Sequence, residues 1–303
     1  MTDTKTKRLE EGNPSKGSTQ PEEARETANT TESKNAERWQ PPQFPKAIRY
    51  ILIVLANTIT FLNFASGVSA IVLVALDPRN VLYTLWGTRL ILLAIIFDFS
   101  DGIPARLAQK EPGFFGTVVD SVADAFSFGL APGVIIALSF SVNQLALAIP
   151  SIIIGAYFGF SALFRLIRFT LKPSKKWFRG IPAPGAGCAA AVYIIIKLYL
   201  EEIHQFLPSA VPIIGLLFMG LIATLMIVTF KYPTTKLKKN FLEIFLLGLA
   251  AVVIFSLVFI PLEYIIYPAG LMMALTCLYV FYGPFYVIRH MINRVNNAEE
   301  EES

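Results

Sequence analysis

The chain is short of charge and of cysteine. Asp, Glu, Lys and Arg make up 16% of its 303 residues, and two cysteines are present. Both, Cys188 and Cys277, fall inside apolar runs, so neither a disulfide framework nor a CxxC metal site is indicated. No basic domain interleaved with aromatics is found, which excludes nucleic acid as a partner. The N-terminal stretch lacks the short apolar core of an export signal. Its residues, 1 to about 40, are Thr, Glu, Lys, Asn and Ser with almost no large apolar side chain. Such a segment cannot offset its ordering entropy and is expected to be a disordered, solvated tail.

What the chain does have is apolar length. It is 54% hydrophobic with a mean hydropathy of +0.55, which places it among polytopic membrane proteins. The expected fold is all-α, with about eight spans of bilayer length. They run over approximately 49–76, 81–107, 115–141, 144–170, 182–204, 209–230, 241–260 and 265–289. The domain plan is a tail and stiff linker over 1–45, a membrane domain over 46–290, and a polar C-terminal tail over 291–303. Loops holding Lys46 and Arg49, Arg106 and Lys110, Arg165 to Arg179, Lys231 to Lys239, and Arg289 and Arg294 fall on one side. Basic loops stay inside, so both termini are expected in the cytoplasm.

The segment from Asp98 to Asp124, DFSDGIPARLAQKEPGFFGTVVDSVAD, lies on that same side. Asp98 and Asp101 are three apart and Asp120 and Asp124 four apart, so on helices each pair shares a face. Ionisable groups within membrane spans are costly and call for compensation. Arg106 and Lys110 are too few cations to neutralise the cluster, whereas divalent metal ions suit carboxylate oxygens. Gly102 and Ala105 remove bulk one turn apart, and Arg106 offers a planar fork for phosphate. Pro104 deprives the Ser100 carbonyl of its helical partner and bends the helix.

The spacing of Asp98, Asp101, Gly102, Ala105, Arg106, Gly116, Asp120 and Asp124 resembles the signature of the CDP-alcohol phosphotransferases. Asn57, Thr60, Asn63 and Gly67 form a polar stripe on the first span, either packing against neighbouring helices or, as in phosphatidylserine synthases, facing the nucleotide. The stretch Phe164 to Ala191, with FKYPTTK at Phe230 to Lys236 and YGP at Tyr282 to Pro284, is also similar to phosphatidylserine synthases.

The resemblance implies transfer of a phosphatidyl or archaetidyl group from CDP-diacylglycerol or CDP-archaeol to L-serine, with release of CMP. It implies two Mg²⁺ or Mn²⁺ ions on Asp98, Asp101, Asp120 and Asp124, with Asp124 also the general base. Gly102, Ala105, Arg106, Gly116 and Asn63 would contact the CDP-lipid, while Arg165 and Arg168 take the acceptor carboxylate or phosphate. Arg179 is a third such cation, and Lys172, Lys175 and Lys176 read as an anchor to anionic membrane lipid. Departures fall at Gly113, where Ser or Thr is usual, at Thr170 in place of Asn, and at Gly185 to Gly187 in place of alanines.

Choline, glycerol or an inositol stays open as the acceptor. An ion-coupled transporter stands against the lack of any second-half counterpart to the Asp segment. A catalytically dead homologue stands against the intact signature. Small residues in the last two spans would let helices approach, within one subunit or across a homodimer.

Overall fold

A computed structural model describes residues 44–108, 114–141, 145–171, 178–203, 210–228, 231–232 and 241–280. The N-terminal tail, Lys110, Gly113, Lys172, Lys175, Lys176 and the YGP stretch lie outside them, as do the side chains of Phe178 and Arg179.

Helix α1 (Lys46–Leu76) and α2 (Val81–Leu107) form an antiparallel hairpin. Asn80 sets its corner: its side-chain oxygen accepts from the N–H groups of Leu82 at 3.0 Å and Tyr83 at 3.4 Å. Capping two otherwise orphaned donors in this way stabilises a helix start by about 1 kcal/mol. At the other end Arg49 Nε donates to the Ala108 carbonyl at 3.0 Å, closing the C-terminus of α2. Helix α2 runs on through Pro104 to Leu107.

The third span is one rod with a defect in it. Helix α3 (Phe114–Asp124) passes into a π-helical turn (Ala125–Leu130) and then α4 (Ala131–Ser141). Within the turn Ala131 N–H donates to the Phe126 carbonyl, five residues back. Pro132 supplies the reason. It has no N–H to offer the Phe128 carbonyl, and in a regular helix its ring would collide with that group. Widening the coil by one residue relieves the collision, and such bulges recur at functional sites.

Helix α5 (Leu145–Leu171) crosses this rod at close range. A Cβ placed on Gly133 would lie 2.6 Å from the Gly155 carbonyl oxygen, and one on Gly129 would lie 2.9 Å from Ala162 Cβ. Lipid tails are as apolar as the side chains, so helices in a bilayer associate through close packing of small residues rather than through exclusion of water. Helix α6 (Ala183–Glu202) is the buried centre of the bundle by the same logic, with Ala183, Ala186, Ala189, Ala190 and Ala191 all covered. Around it stand α7 (Ala210–Ile227), α8 (Phe241–Phe259) and α9 (Ile266–Val280).

Six of these rods are long and apolar enough to cross a membrane: α1, α2, the α3–α4 rod, α5, α6 and α7. The last two expected spans correspond to α8 and α9, whose apolar helical stretches Gly248–Phe259 and Ile266–Val280 are shorter. Ile51 and Phe61 on α1, Leu217 on α7 and Phe255 on α8 point outward. Faces of that kind suit lipid and would be a liability in water.

Among the described residues one feature departs from an all-helical plan. A two-residue antiparallel pair joins β1 (Phe178–Arg179) to β2 (Lys231–Tyr232). Gly180 follows at φ +79°, where a Cβ would meet the carbonyl oxygens of Met226, Leu225 and Val228 at 2.9 to 3.0 Å. Only glycine fits that turn. It straps the α5–α6 connection onto the end of α7, and Arg168 reinforces it by donating to the Ile227 carbonyl at 2.8 Å.

Candidate active site

The acidic residues come from two rods. Asp98 and Asp101 lie in the last turns of α2, and Asp120 and Asp124 lie on α3, with Asp124 the last residue before the π turn. Asp98, Asp120 and Asp124 converge: one carboxylate oxygen from each lies within 4.8 Å of the others, and all three are half-buried. Asp101 stands outside this trio. Thr60 on α1 donates to its Oδ2 at 2.9 Å.

Three converging carboxylates inside a helical bundle repel one another and lose hydration. No Lys or Arg among the described residues forms an ion pair with Asp98, Asp120 or Asp124; the ion pair that is found, Lys197–Glu201, lies near the far end of α6. The donor set is therefore hard oxygen with no ion-paired cation among the described residues, Arg165 being within electrostatic range of Asp124 but not ion-paired to it. That is the composition a divalent cation such as Mg²⁺ or Mn²⁺ requires, and Asp98, Asp120 and Asp124 fit one.

The polar stripe of α1 faces the carboxylates. Asn63 is completely buried, and its Nδ2 donates to Asp124 Oδ1 at 3.2 Å. With Thr60 on Asp101, the stripe is a row of donors spaced to meet α2 and α3. Of its two expected roles, contact with neighbouring helices is the one these bonds display.

Helix α5 delivers the cations. Arg165 is buried to 8% exposure, lies within electrostatic range of Asp124, and its Nε has no hydrogen-bond partner. A guanidinium hidden from water with a donor unused is poised for an anion. Arg168, one turn on, differs: it holds the Ile227 carbonyl and lies over the Phe164 ring at 5.9 Å. Thr170 shares a 3.0 Å hydrogen bond with Ser121, the neighbour of Asp120, and so ties the end of α5 to α3.

The remaining signature residues lie on the same two rods. Gly102 leaves space beside Arg106, since a Cβ there would sit 4.0 Å from the Arg106 guanidinium. Arg106 is exposed in the last turn of α2, with Ala105 half-buried beside it, and Gly116 lies one turn before Asp120. Ser127 and the π turn were missed in the sequence. The signal available was Pro132, eight residues after Asp124 in an apolar run otherwise interrupted by Ser127 alone.

A membrane bundle that gathers carboxylates suited to a divalent cation, with a buried guanidinium whose Nε is unpartnered alongside, fits a class: membrane-embedded enzymes that handle phosphate esters at the lipid boundary. The family model for CDP-alcohol phosphatidyltransferases matches residues 53–230, which span the whole site. The chain belongs to that family and is a transferase of phospholipid biosynthesis.

Among its relatives is a CDP-diacylglycerol–serine O-phosphatidyltransferase of Helicobacter pylori, 30% identical over 69% of this chain and 84% of the relative. One of the same name from Methanocaldococcus jannaschii is 31% identical, over 67% of this chain and 85% of the relative. An archaetidylserine synthase of Methanothermobacter thermautotrophicus is 30% identical over 54% of this chain and 66% of the relative. No solved structure matches.

Proposed function

We propose that the enzyme transfers a phosphatidyl or archaetidyl group from CDP-diacylglycerol or CDP-archaeol to the hydroxyl of L-serine and releases CMP. The observation that carries the serine assignment is Arg165, a buried guanidinium with an unused Nε beside Asp124. Serine brings a carboxylate to meet it; choline, glycerol and inositol do not. The names of the relatives from Helicobacter and Methanocaldococcus point the same way.

In this reading Asp98, Asp101, Asp120 and Asp124 hold two Mg²⁺ or Mn²⁺ ions. Bound there, the metal neutralises diphosphate charge and makes CMP a better leaving group. Arg106 faces the diphosphate from the end of α2, where Gly102 and Ala105 keep the approach clear, and Gly116 does the same on α3. Arg165 orients serine by its carboxylate, with Arg168 behind it. Asp124 then takes the hydroxyl proton as the serine oxygen attacks the lipid-side phosphorus and the bond to CMP breaks. A carboxylate is too weak a base to ionise an alcohol beforehand, so proton removal and attack are concerted.

In this reading the rim and both termini face the cytoplasm, supported by the basic residues gathered in the loops on that side. The membrane domain spans 46–290 in this reading, with tails at either end, and the small residues of the last two spans suit packing within one subunit or across a homodimer.

The test is CMP release by the purified protein from CDP-diacylglycerol, with serine, choline, glycerol and inositol in parallel and an EDTA control. Metal-dependent release with serine alone is expected. Release with another alcohol would keep the reaction and discard the acceptor.

A further inference from the structure

We propose that Asn63 is a positioning residue for Asp124, and that Ser127 acts through Asn63. The proposal rests on Asp124 being the base. Its ground is a three-residue junction between α1 and the π turn. Asn63 Nδ2 donates to Asp124 Oδ1 at 3.2 Å, and Ser127 Oγ donates to the Asn63 backbone carbonyl at 2.7 Å. Asn63 and Ser127 are both at 0% exposure.

Burial decides against a contact with the nucleotide. Asn63 cannot touch a ligand unless α1 parts from the third rod, whereas it already touches Asp124. The amide also gives up something for that contact. Its N–H group turns to Asp124 while its own carbonyl oxygen, Oδ1, is left buried with no partner. Leaving a buried acceptor unpaired is costly, so the donor contact is the interaction this amide orientation serves.

The junction has a steric condition. Gly67 stands one turn along α1 from Asn63, and a Cβ on it would lie 2.6 Å from Ser127 Oγ and 2.7 Å from the Ser127 backbone. Only a glycine lets the π turn come this near. The π turn in turn places Ser127, three residues past Asp124, against α1. Gly67, Ser127 and Asn63 together fix how deep Asp124 sits and hold one of its oxygens. A carboxylate anchored at one oxygen no longer rotates freely, so the other is presented at a constant angle.

The experiment uses the full chain, purified, assayed for CMP release from CDP-diacylglycerol with serine and Mn²⁺. Asn63→Leu keeps the branched side-chain shape and removes the donor; Ser127→Ala removes one hydroxyl. Asn63→Leu should lower kcat by about 10- to 100-fold, the range for one hydrogen bond to a charged group. Both KM values should stay within about twofold. Ser127→Ala should lower kcat about fivefold, and adding it to Asn63→Leu should cost nothing further.

A rise in the CDP-lipid KM at constant kcat would overturn the proposal and return Asn63 to the nucleotide. Fully additive losses would overturn the link through Ser127. Should Asn63→Leu fail to fold, Ser127→Ala alone carries the test, with unchanged kcat counting against the proposal. Asp124→Asn, run alongside, separates the layers. Turnover surviving there removes the base assignment itself, whereas its loss beside an unimpaired Asn63→Leu removes only the positioning role.

Discussion

Replacing Arg165 by lysine gives the most direct probe of the acceptor assignment. Lysine keeps the positive charge beside Asp124, so the electrostatics around the carboxylates change little. What it lacks is the planar fork that grips a carboxylate at two points. Arg165 is buried at 8% exposure, with its Nε unpartnered, so the contact with serine proposed for it would be desolvated. A hydrogen bond to a charged group contributes about 1.5–3 kcal/mol, and losing one arm of a two-pronged contact should cost roughly 1–2 kcal/mol. The serine KM should therefore rise by about 5- to 30-fold. The CDP-lipid KM should stay put, because the diphosphate is assigned to Arg106. The assay is initial-rate CMP release with serine varied at saturating lipid, then the reverse. Ethanolamine, which is serine without its carboxylate, provides the internal control: the preference for serine over it should shrink by the same factor. Equal rises in both KM values would refute the reasoning, since they would show Arg165 holding phosphate rather than the acceptor.

Other expectations follow from the packing and the metal chemistry. Asp124→Asn should abolish turnover while CDP-lipid binding persists, measurable by nucleotide protection of the thermal midpoint; near-normal turnover would remove Asp124 from the base role. Dialysis against EDTA should bring CMP release to background, and added Mn²⁺ or Mg²⁺ should restore it. Gly133→Ala should destabilise the fold. Alanine gains about 1 kcal/mol in helix propensity, but its Cβ would sit 2.6 Å from the Gly155 carbonyl, a backbone atom that cannot step aside. Overpacking of that kind costs about 1–3 kcal/mol and should win, read as a lower thermal midpoint with KM values unchanged. Arg168→Ala should also lower the midpoint, because it strands the Ile227 carbonyl it now holds.

The carboxylates were legible in the sequence because their chemistry does not depend on the fold. Ionisable groups at fixed helical spacing within apolar runs need compensation wherever the bundle puts them. The spans were legible for a similar reason, since bilayer thickness sets their length. What could not be read was which partner each polar group would choose. Thr60 and Asn63 form the same stripe whether they meet nucleotide or carboxylate, and only the crossing of α1 against α2 and α3 decides. A guanidinium at a helix end likewise reads the same whether it awaits a substrate or grips a backbone carbonyl. Arg165 and Arg168, three residues apart, turn out to differ in that respect. The β1–β2 pair is two residues long on each side, too short for any alternation to announce it.

The two ends of the bundle are built for different purposes. At the end away from the carboxylates each buried cation has a partner: Lys197, 2% exposed, bonds Glu201 at 2.8 Å and lies over the Phe140 ring at 5.3 Å, although Arg89 Nε and Ser139 Oγ stay buried without a hydrogen-bond partner. Arg89 donates to the Ile260 carbonyl and lies over Trp86, tying α2 to the α8–α9 corner. At the carboxylate end three converging carboxylates have no ion-paired cation among the described residues, with Arg165, its Nε unpartnered, in electrostatic range of Asp124. A membrane bundle has little hydrophobic driving force between its helices, so those converging charges must be tolerated by packing and bonding elsewhere. The glycine contacts between the α3–α4 rod and α5 and the polar clamps at the far end supply that tolerance. The distribution has a consequence for mutagenesis. Substitutions at Lys197 or Arg89 should lower stability while leaving the kcat of the folded fraction intact. Substitutions among the aspartates should lower kcat and, by removing repulsion, raise the thermal midpoint of the metal-free protein. Metal-free thermal scans of Asp98→Asn and Asp120→Asn would check this, and a lower midpoint in both would show that these carboxylates are held by the protein rather than tolerated by it.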